Sequence, residues 1–233
     1  MLFRSVSGAR VTVYEYDDNT KGAALGSAVT DAAGWYSVEV TETTQTSLLL
    51  EVDNPTGGAA LYAEAASGAA VDLSTTDRLR SVLVDWFDGA ERVDGMVTPW
   101  TDICTAFAHA KYVTTTPPNW PLAVTAAFVD VEAHFDDGGP AINFRNVLPA
   151  DLTTSVGTGT LNSQVRYGLA IAAVSKLAAQ HAAASGATAA AYPRECSQCN
   201  GWVHAETGDA FLKAGEAAPV SKGPACDSCG TAG

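Results

Sequence analysis

Two periods of hydrophobic alternation divide this chain. From residue 6 to about residue 97, apolar and polar positions alternate with the two-residue period of half-buried strands. Ala9–Glu15 places Val11 and Val13 on one side. Asp17–Gly22 is turn chemistry, and Ser27–Thr30 is a short strand. Asp31–Gly34 is a second turn, with Gly34 where a positive φ is needed. Trp35–Val40 alternates again, and Thr46–Val52 carries the unbroken apolar run of a sandwich-core strand. Asn54–Gly58 turns the chain, and Ala60–Ala63 and Ala70–Leu73 read as brief strands. Arg80–Trp86 follows a threonine pair, Thr75 and Thr76, able to cap a helix. Val82, Val84 and Trp86 nevertheless alternate with Ser81 and Asp85, so the segment reads as a strand. Short strands between turn signals predict an antiparallel β-sandwich over residues 6–97.

Past residue 97 the period changes to that of helices. Thr98-Pro99 is a sharp start, a capping hydroxyl before a proline at the first helical position. Asp102 adds negative charge to the first turn, and Ile103, Phe107 and Ala110 make one apolar face. Thr114–Asn119 breaks the chain. A second helix runs from about Pro121 to Phe135 and is apolar nearly all round. Asp136–Pro140 ends it, and a long loop crosses 141–159. Leu161–Ala184 is the longest helical pattern, with Tyr167, Ile171, Val174, Leu177 and Ala178 as its buried stripe. Residues 98–184 thus predict an α-helical domain. An alanine-rich linker over 185–191 leads to a tail, 192–233. The fold class is α+β, and Trp86, Trp100 and Trp120 are expected at the junction of the two parts.

Charge narrows the function. Acidic residues number 26 against 13 basic ones, for a formal charge of −13. Phosphate binding needs clustered Lys and Arg, so nucleic acid is an unfavourable partner, and so is an anionic lipid surface. The most apolar long stretch, Tyr167–Ala184, is interrupted by Ser175, Lys176, Gln180 and His181. It falls short of the roughly 20 apolar residues of a membrane span. No nucleophile elbow, His-Glu-x-x-His or P-loop is present, and Gly157-Thr-Gly159 lacks the third glycine and the preceding strand of a nucleotide loop.

The densest chemistry lies in the tail, where Cys196-Ser-Gln-Cys199 and Cys226-Asp-Ser-Cys229 repeat one spacing. Asn200-Gly201 follows the first pair and Gly230 the second, which lets backbone amides point back at thiolate sulfur. A tail of some 40 residues builds no core alone and needs a staple. The spacing resembles a four-cysteine zinc ribbon, with Cys196, Cys199, Cys226 and Cys229 as ligands of a structural Zn2+. Two disulfides are the alternative, favoured by an oxidising compartment. A rubredoxin-type iron site and a redox-active pair fit less well. His204 reads as a solvated strand residue, and His109, His134 and His181 have no i, i+4 partner. Cys104 reads as a small apolar core residue. Asp136-Asp137 and Asp17-Asp18-Asn19 read as solvated turns without calcium-loop spacing, and Asp85 and Asp88 as a strand end beside Trp86.

Two stretches resemble known modules. Gly8-Ala-Arg-Val-Thr-Val13 followed by Thr30-Asp-Ala-Ala-Gly-Trp-Tyr-Ser-Val38 is similar to the pattern of carboxypeptidase regulatory-like modules, sandwiches of the transthyretin and prealbumin kind. The resemblance covers about residues 6–75. Val97-Thr-Pro-Trp-Thr101 and Arg166–Ala178 resemble the helical region that follows such modules in some bacterial surface lipoproteins. That resemblance implies an exported, envelope-associated or secreted protein and carries no catalytic residues. Met1-Leu-Phe-Arg-Ser5 runs directly into a strand pattern without a signal peptide, so the start of the protein, with any lipid anchor to the membrane, is expected upstream.

The sequence therefore reads as a non-enzymatic modular protein with a binding or scaffolding role toward a protein or carbohydrate ligand at the cell surface. The rival readings are an intracellular zinc-ribbon interaction module in the cytoplasm and an enzyme with an unrecognised site.

Overall fold

The computed structural model describes residues 6–40, 47–54, 60–63, 70–73, 75, 77–84, 95–114, 117–135, 138–150, 152, 161–185, 194–196 and 201–203. The fold is α+β. Its strands are β1 (Arg10–Asp17), β2 (Thr20–Val29), β3 (Leu48–Asp53), β4 (Leu61–Ala63), β5 (Ala70–Asp72) and β6 (Arg78–Leu83). Helices α1 (Pro99–Thr114), α2 (Trp120–Ala133) and α3 (Ser163–Ser185) follow, then a short hairpin, β7 (Arg194–Cys196) and β8 (Gly201–Val203). An antiparallel sheet of order β2-β1-β3-β6 forms the centre, and β4 pairs with β5 separately.

The β1–β2 hairpin is tighter and longer than the sequence reading. Asp18 and Asn19 both sit at positive φ (45° and 64°), as a two-residue turn matched to strand twist requires. Two register shifts follow in β1–β2, between Val13 and Tyr14 and between Tyr14 and Tyr16. The Asp31–Gly34 turn forms as read, with Gly34 at φ 74° and the Asp31 carboxylate accepting from the amides of Ala33 and Trp35.

Trp35–Val40 differs from its reading. It alternates as expected, with Tyr36, Val38 and Val40 packed inward and Trp35, Ser37 and Glu39 exposed. It is nonetheless not a strand of any sheet. Its backbone lies on the sheet at Gly26, where a Cβ would come within 2.4 Å of the Glu39 carbonyl oxygen. Side-chain burial, not a ladder of hydrogen bonds, holds it there. It covers one sheet face, whose rows include Ala28–Val11–Val52–Leu79 and Gly26–Val13–Leu50–Ser81.

The opposite face carries the helices. Its innermost row is Ala24–Tyr14–Leu49–Val82, and Leu49 and Val82 join one core cluster with Ile103, Phe128 and Tyr167 of the helices. Sheet and helices therefore share a core. The start of α1 is locked from three directions. Thr98 and Thr101 cap reciprocally: the Thr98 N–H donates to the Thr101 hydroxyl (2.8 Å), and the Thr101 N–H to the Thr98 hydroxyl (3.2 Å). The Thr101 hydroxyl also lies 3.0 Å from the Arg80 carbonyl oxygen of β6. The Arg80 Nε donates to the buried Asp102 carboxylate at 2.9 Å. From α3, the Tyr167 hydroxyl lies 2.6 Å from that of Thr98.

Aromatic rings fill what remains. Trp120 meets Tyr16 edge-on at 5.1 Å, joining α2 to β1, and Trp100 stacks on Phe144 at 5.5 Å. Both tryptophans are buried in the core that sheet and helices share. Trp120 touches β1 as expected at the junction, the ring partners of Trp100 are Phe135 and Phe144 of the helical part, and Trp86 lies outside the described residues. Asn119 caps α2 by accepting from the Leu122 N–H (3.0 Å). The Arg166 guanidinium of α3 donates to the carbonyls of Phe135 and Pro140, tying α3 to the end of α2.

Glu132 of α2 accepts from the Phe144 N–H at 2.8 Å. Burial raises its pKa above the ordinary glutamate value, and this hydrogen bond and the Arg145 charge draw it only partly back. A carboxyl with a raised folded pKa keeps its proton longer in the native state, so stability falls as pH rises through that pKa. Glu132→Gln keeps the acceptor oxygen and removes the charge. Its unfolding free energy should equal that of the parent near pH 4 and exceed it at pH 7. Solvent screening holds the gain under about 1 kcal/mol. Urea unfolding across that range checks this, and a variant less stable than the parent at pH 7 would contradict it.

Candidate functional site

Of the four cysteines read as metal ligands, the structure describes the backbone of one. Cys196 ends β7 and pairs with Gly201 at the start of β8 in the register Arg194↔Val203, Glu195↔Trp202 and Cys196↔Gly201. The pairing brings the two ends of the 197–200 segment together, one strand spacing apart. Cys199, Cys226 and Cys229 lie outside the described residues, as does His204. Four thiolates at Cys196, Cys199, Cys226 and Cys229 would supply the soft donor set that suits Zn2+ and would leave no open coordination position. Among the described residues, no three His, Cys, Asp or Glu side chains gather as a metal site.

The helix-side face of the sheet provides the clearest polar constellation. Beyond the row under the helices come two more, Ser27–Thr12–Glu51–Arg80 and Val29–Arg10–Asp53–Arg78. Arg80 turns toward Asp102 under α1. The remaining charges form a lattice on the open part of the face. Arg10 grips Asp53 with both arms of its guanidinium: Nε donates to one carboxylate oxygen at 2.8 Å and Nη2 to the other. Arg78 stands between Asp53 (3.7 Å) and Glu51 (4.0 Å), and the Lys21 ammonium donates to both Glu51 oxygens at 3.0 and 3.1 Å. Lys21 also lies 3.7 Å over the Tyr14 ring. The acids are sunk and the cations stand proud: side-chain exposure is 7% for Asp53 and 16% for Glu51, against 44% for Arg10 and 39% for Arg78. Val29, paired with Arg10, is 60% exposed, and Trp35 is 61% exposed. The Trp35 carbonyl accepts from the Asp31 N–H, two residues past Val29.

The other residues singled out in the sequence are dispersed. His109 on α1 has its Nε2 2.6 Å from the Tyr16 hydroxyl, and the Nδ1 of His134 is 3.0 Å from the Asp130 carbonyl at the end of α2. Cys104 is fully buried, and burial raises its thiol pKa well above the usual value, so the sulfur packs as an apolar atom. Asp17, Asp18 and Asn19 make the β1–β2 turn. Asp85, Asp88, Asp136, Asp137 and the side chain of His181 lie outside the described residues.

The charge lattice was not foreseen from the sequence, although a signal exists. Glu51 and Asp53 alternate with Leu50 and Val52, and Arg78 and Arg80 alternate with Leu79 and Ser81. Opposite charges on alternating positions of two strands mark a charged face once the strands are known to be neighbours. Among the described residues, no helix is long and apolar enough to cross a membrane. No family model, curated protein or solved structure matches this chain.

Proposed function

We propose that this chain is a non-enzymatic binding or scaffolding protein of the bacterial cell envelope or the secreted fraction. In this reading residues 6–97 are a carboxypeptidase regulatory-like β-sandwich and 98–184 an α-helical domain seated on it. An alanine-rich linker (185–191) leads to a zinc-ribbon-like tail (192–233). The observation that carries the reading is the open sheet face, on which a lattice of ion pairs holds polar side chains outward in fixed positions. Side chains fixed before a ligand arrives lose little entropy on contact, which favours recognition.

The sandwich is supported by the Asp31–Gly34 turn, by the inward alternation of Tyr36, Val38 and Val40, and by the bridge between Ser7 and Leu61 that ties β4 to the start of the chain. The envelope setting is supported by the lipoprotein-like Val97–Thr101 and Arg166–Ala178 stretches and by the acidic composition. The zinc reading is supported by the two matched cysteine pairs and by the β7–β8 register, which pairs Cys196 with Gly201. The metal's role is structural: it would staple the tail and take no part in chemistry.

Two experiments test this reading. Antibody raised against the chain should label intact cells of the source organism or detect the protein in the medium. Labelling only after permeabilisation would move the protein to the cytoplasm and favour the intracellular interaction module. Metal analysis of the purified full chain should find about one zinc per chain, removable by chelator, with all five cysteines titrating as thiols after unfolding. Zinc-free protein in which Cys104 alone titrates would replace the metal with two disulfides.

A further inference from the structure

We propose that His109 is a proton-sensitive latch: on taking up a proton it holds the tip of the β1–β2 hairpin against α1, and so fixes Lys21 in the charge lattice. The inference rests on the reading of that face as a binding surface and names how the face is regulated.

The tip is held by more than its own ladder. Register shifts fall on both sides of Tyr14, and the turn beyond takes positive φ at Asp18 and Asn19. The Tyr16 N–H bonds the Ser47 carbonyl at 3.1 Å, so Tyr16 is a fixed post and Asp17–Lys21 is the part that can move. Helix α1 supplies the second hold. The Tyr16 hydroxyl lies 2.6 Å from the His109 Nε2 and 3.3 Å from the Asn19 Oδ1. Desolvation, then the charge and hydrogen bond of Asp18, raise the pKa of Tyr112, which sets that α1 hydroxyl beside the same turn. Trp120 of α2 closes the cluster, edge-on to Tyr16, His109 and Tyr112 at 5.1, 5.5 and 5.7 Å.

The proton on His109 decides what the Tyr16 hydroxyl does. In the neutral ring Nε2 can accept, and the Tyr16 O–H is then used on it. In the protonated ring Nε2 can only donate, and the Tyr16 O–H turns to the Asn19 Oδ1. The charge also faces a turn with two carboxylates, Asp17 and Asp18. The other described charges near it are Lys111 on α1 and Asp130 on α2, which pair with each other at 2.5 Å. Half-burial of the ring opposes the charge but leaves water within reach. The held tip therefore binds the proton more tightly than the released one. By linkage the hold is favoured in acid and weakens as pH rises through roughly 6 to 7, where histidine gives up its proton.

Lys21 carries this to the lattice. It pairs with Tyr16 across the hairpin, lies 3.7 Å over the Tyr14 ring and donates to both Glu51 oxygens. A released tip takes Lys21 from Glu51 and leaves Arg78, 4.0 Å away, as the cation beside that carboxylate.

Hydrogen exchange of the full-length protein, followed by mass spectrometry over residues 14–22 and corrected for intrinsic rates, tests the latch between pH 5.5 and 7.5. Protection of the tip should fall about threefold or more across this range in the parent. His109→Gln and Tyr16→Phe, which keep most of the packing, should each remove the pH dependence. Protection that does not change with pH in the parent, or that rises with it, overturns the proposal. So does a fall that either variant retains. No ligand enters the measurement, so these outcomes leave the binding role and the envelope address to their own tests.

Discussion

The ion pair between Arg80 and Asp102 is the contact on which the arrangement of this protein depends. It joins the last strand of the sheet to the first turn of the first helix, and both groups are largely removed from water. A buried pair of this kind adds little stability over an apolar replacement, but losing one partner costs on the order of 3–5 kcal/mol. That is a large fraction of the 5–15 kcal/mol that holds a typical domain together. The pair therefore sets where α1 sits. The Thr98–Thr101 cap and the Thr101 bond to the Arg80 carbonyl fix the same helix end against β6. Tyr167 then brings α3 to the same point through Thr98, and Trp120 brings α2 against β1.

The helix-side face of the sheet is graded as a consequence. Where helices cover it, its side chains are Tyr14, Leu49 and Val82. One row farther, Arg80 reaches the edge of cover and meets a buried carboxylate. One row beyond that, Arg10 and Arg78 reach solvent and both pair with the buried Asp53 between them. The same strands thus serve as core wall and as outer surface, and the charges begin where the helices stop. The ion pairs hold these side chains in fixed positions on the face.

The strand and helix pattern of the body was legible in the sequence because local rules set it. The Thr98-Pro99 cap, the glycine at the Asp31–Gly34 turn and the alternation of Val11 and Val13 each act over a few residues. Trp35–Val40 shows the limit. Its alternation reported burial correctly, yet alternation carries no information on whether a neighbouring strand accepts its hydrogen bonds. The role of Asp102 was half legible: its place in the first turn could be read, but its partner is 22 positions away on β6. The charge lattice was missed for the same reason, since Arg10, Glu51, Asp53 and Arg78 come together only through strand order. The cysteine pairs remain the strongest chemical signal in the sequence, and the β7–β8 register adds to it the pairing of Cys196 with Gly201.

If one buried pair and one cap weld the helices to the sheet, the two layers cannot open separately. Native-state hydrogen exchange measured against rising denaturant tests this most directly. Amides of β1, β3 and β6 and those of α1 should merge into a single exchange isotherm, with one opening free energy equal to that of global unfolding. Exchange of α1 and α2 at a distinctly lower free energy, while the sheet stays protected, would show that the helices detach on their own and would contradict the account.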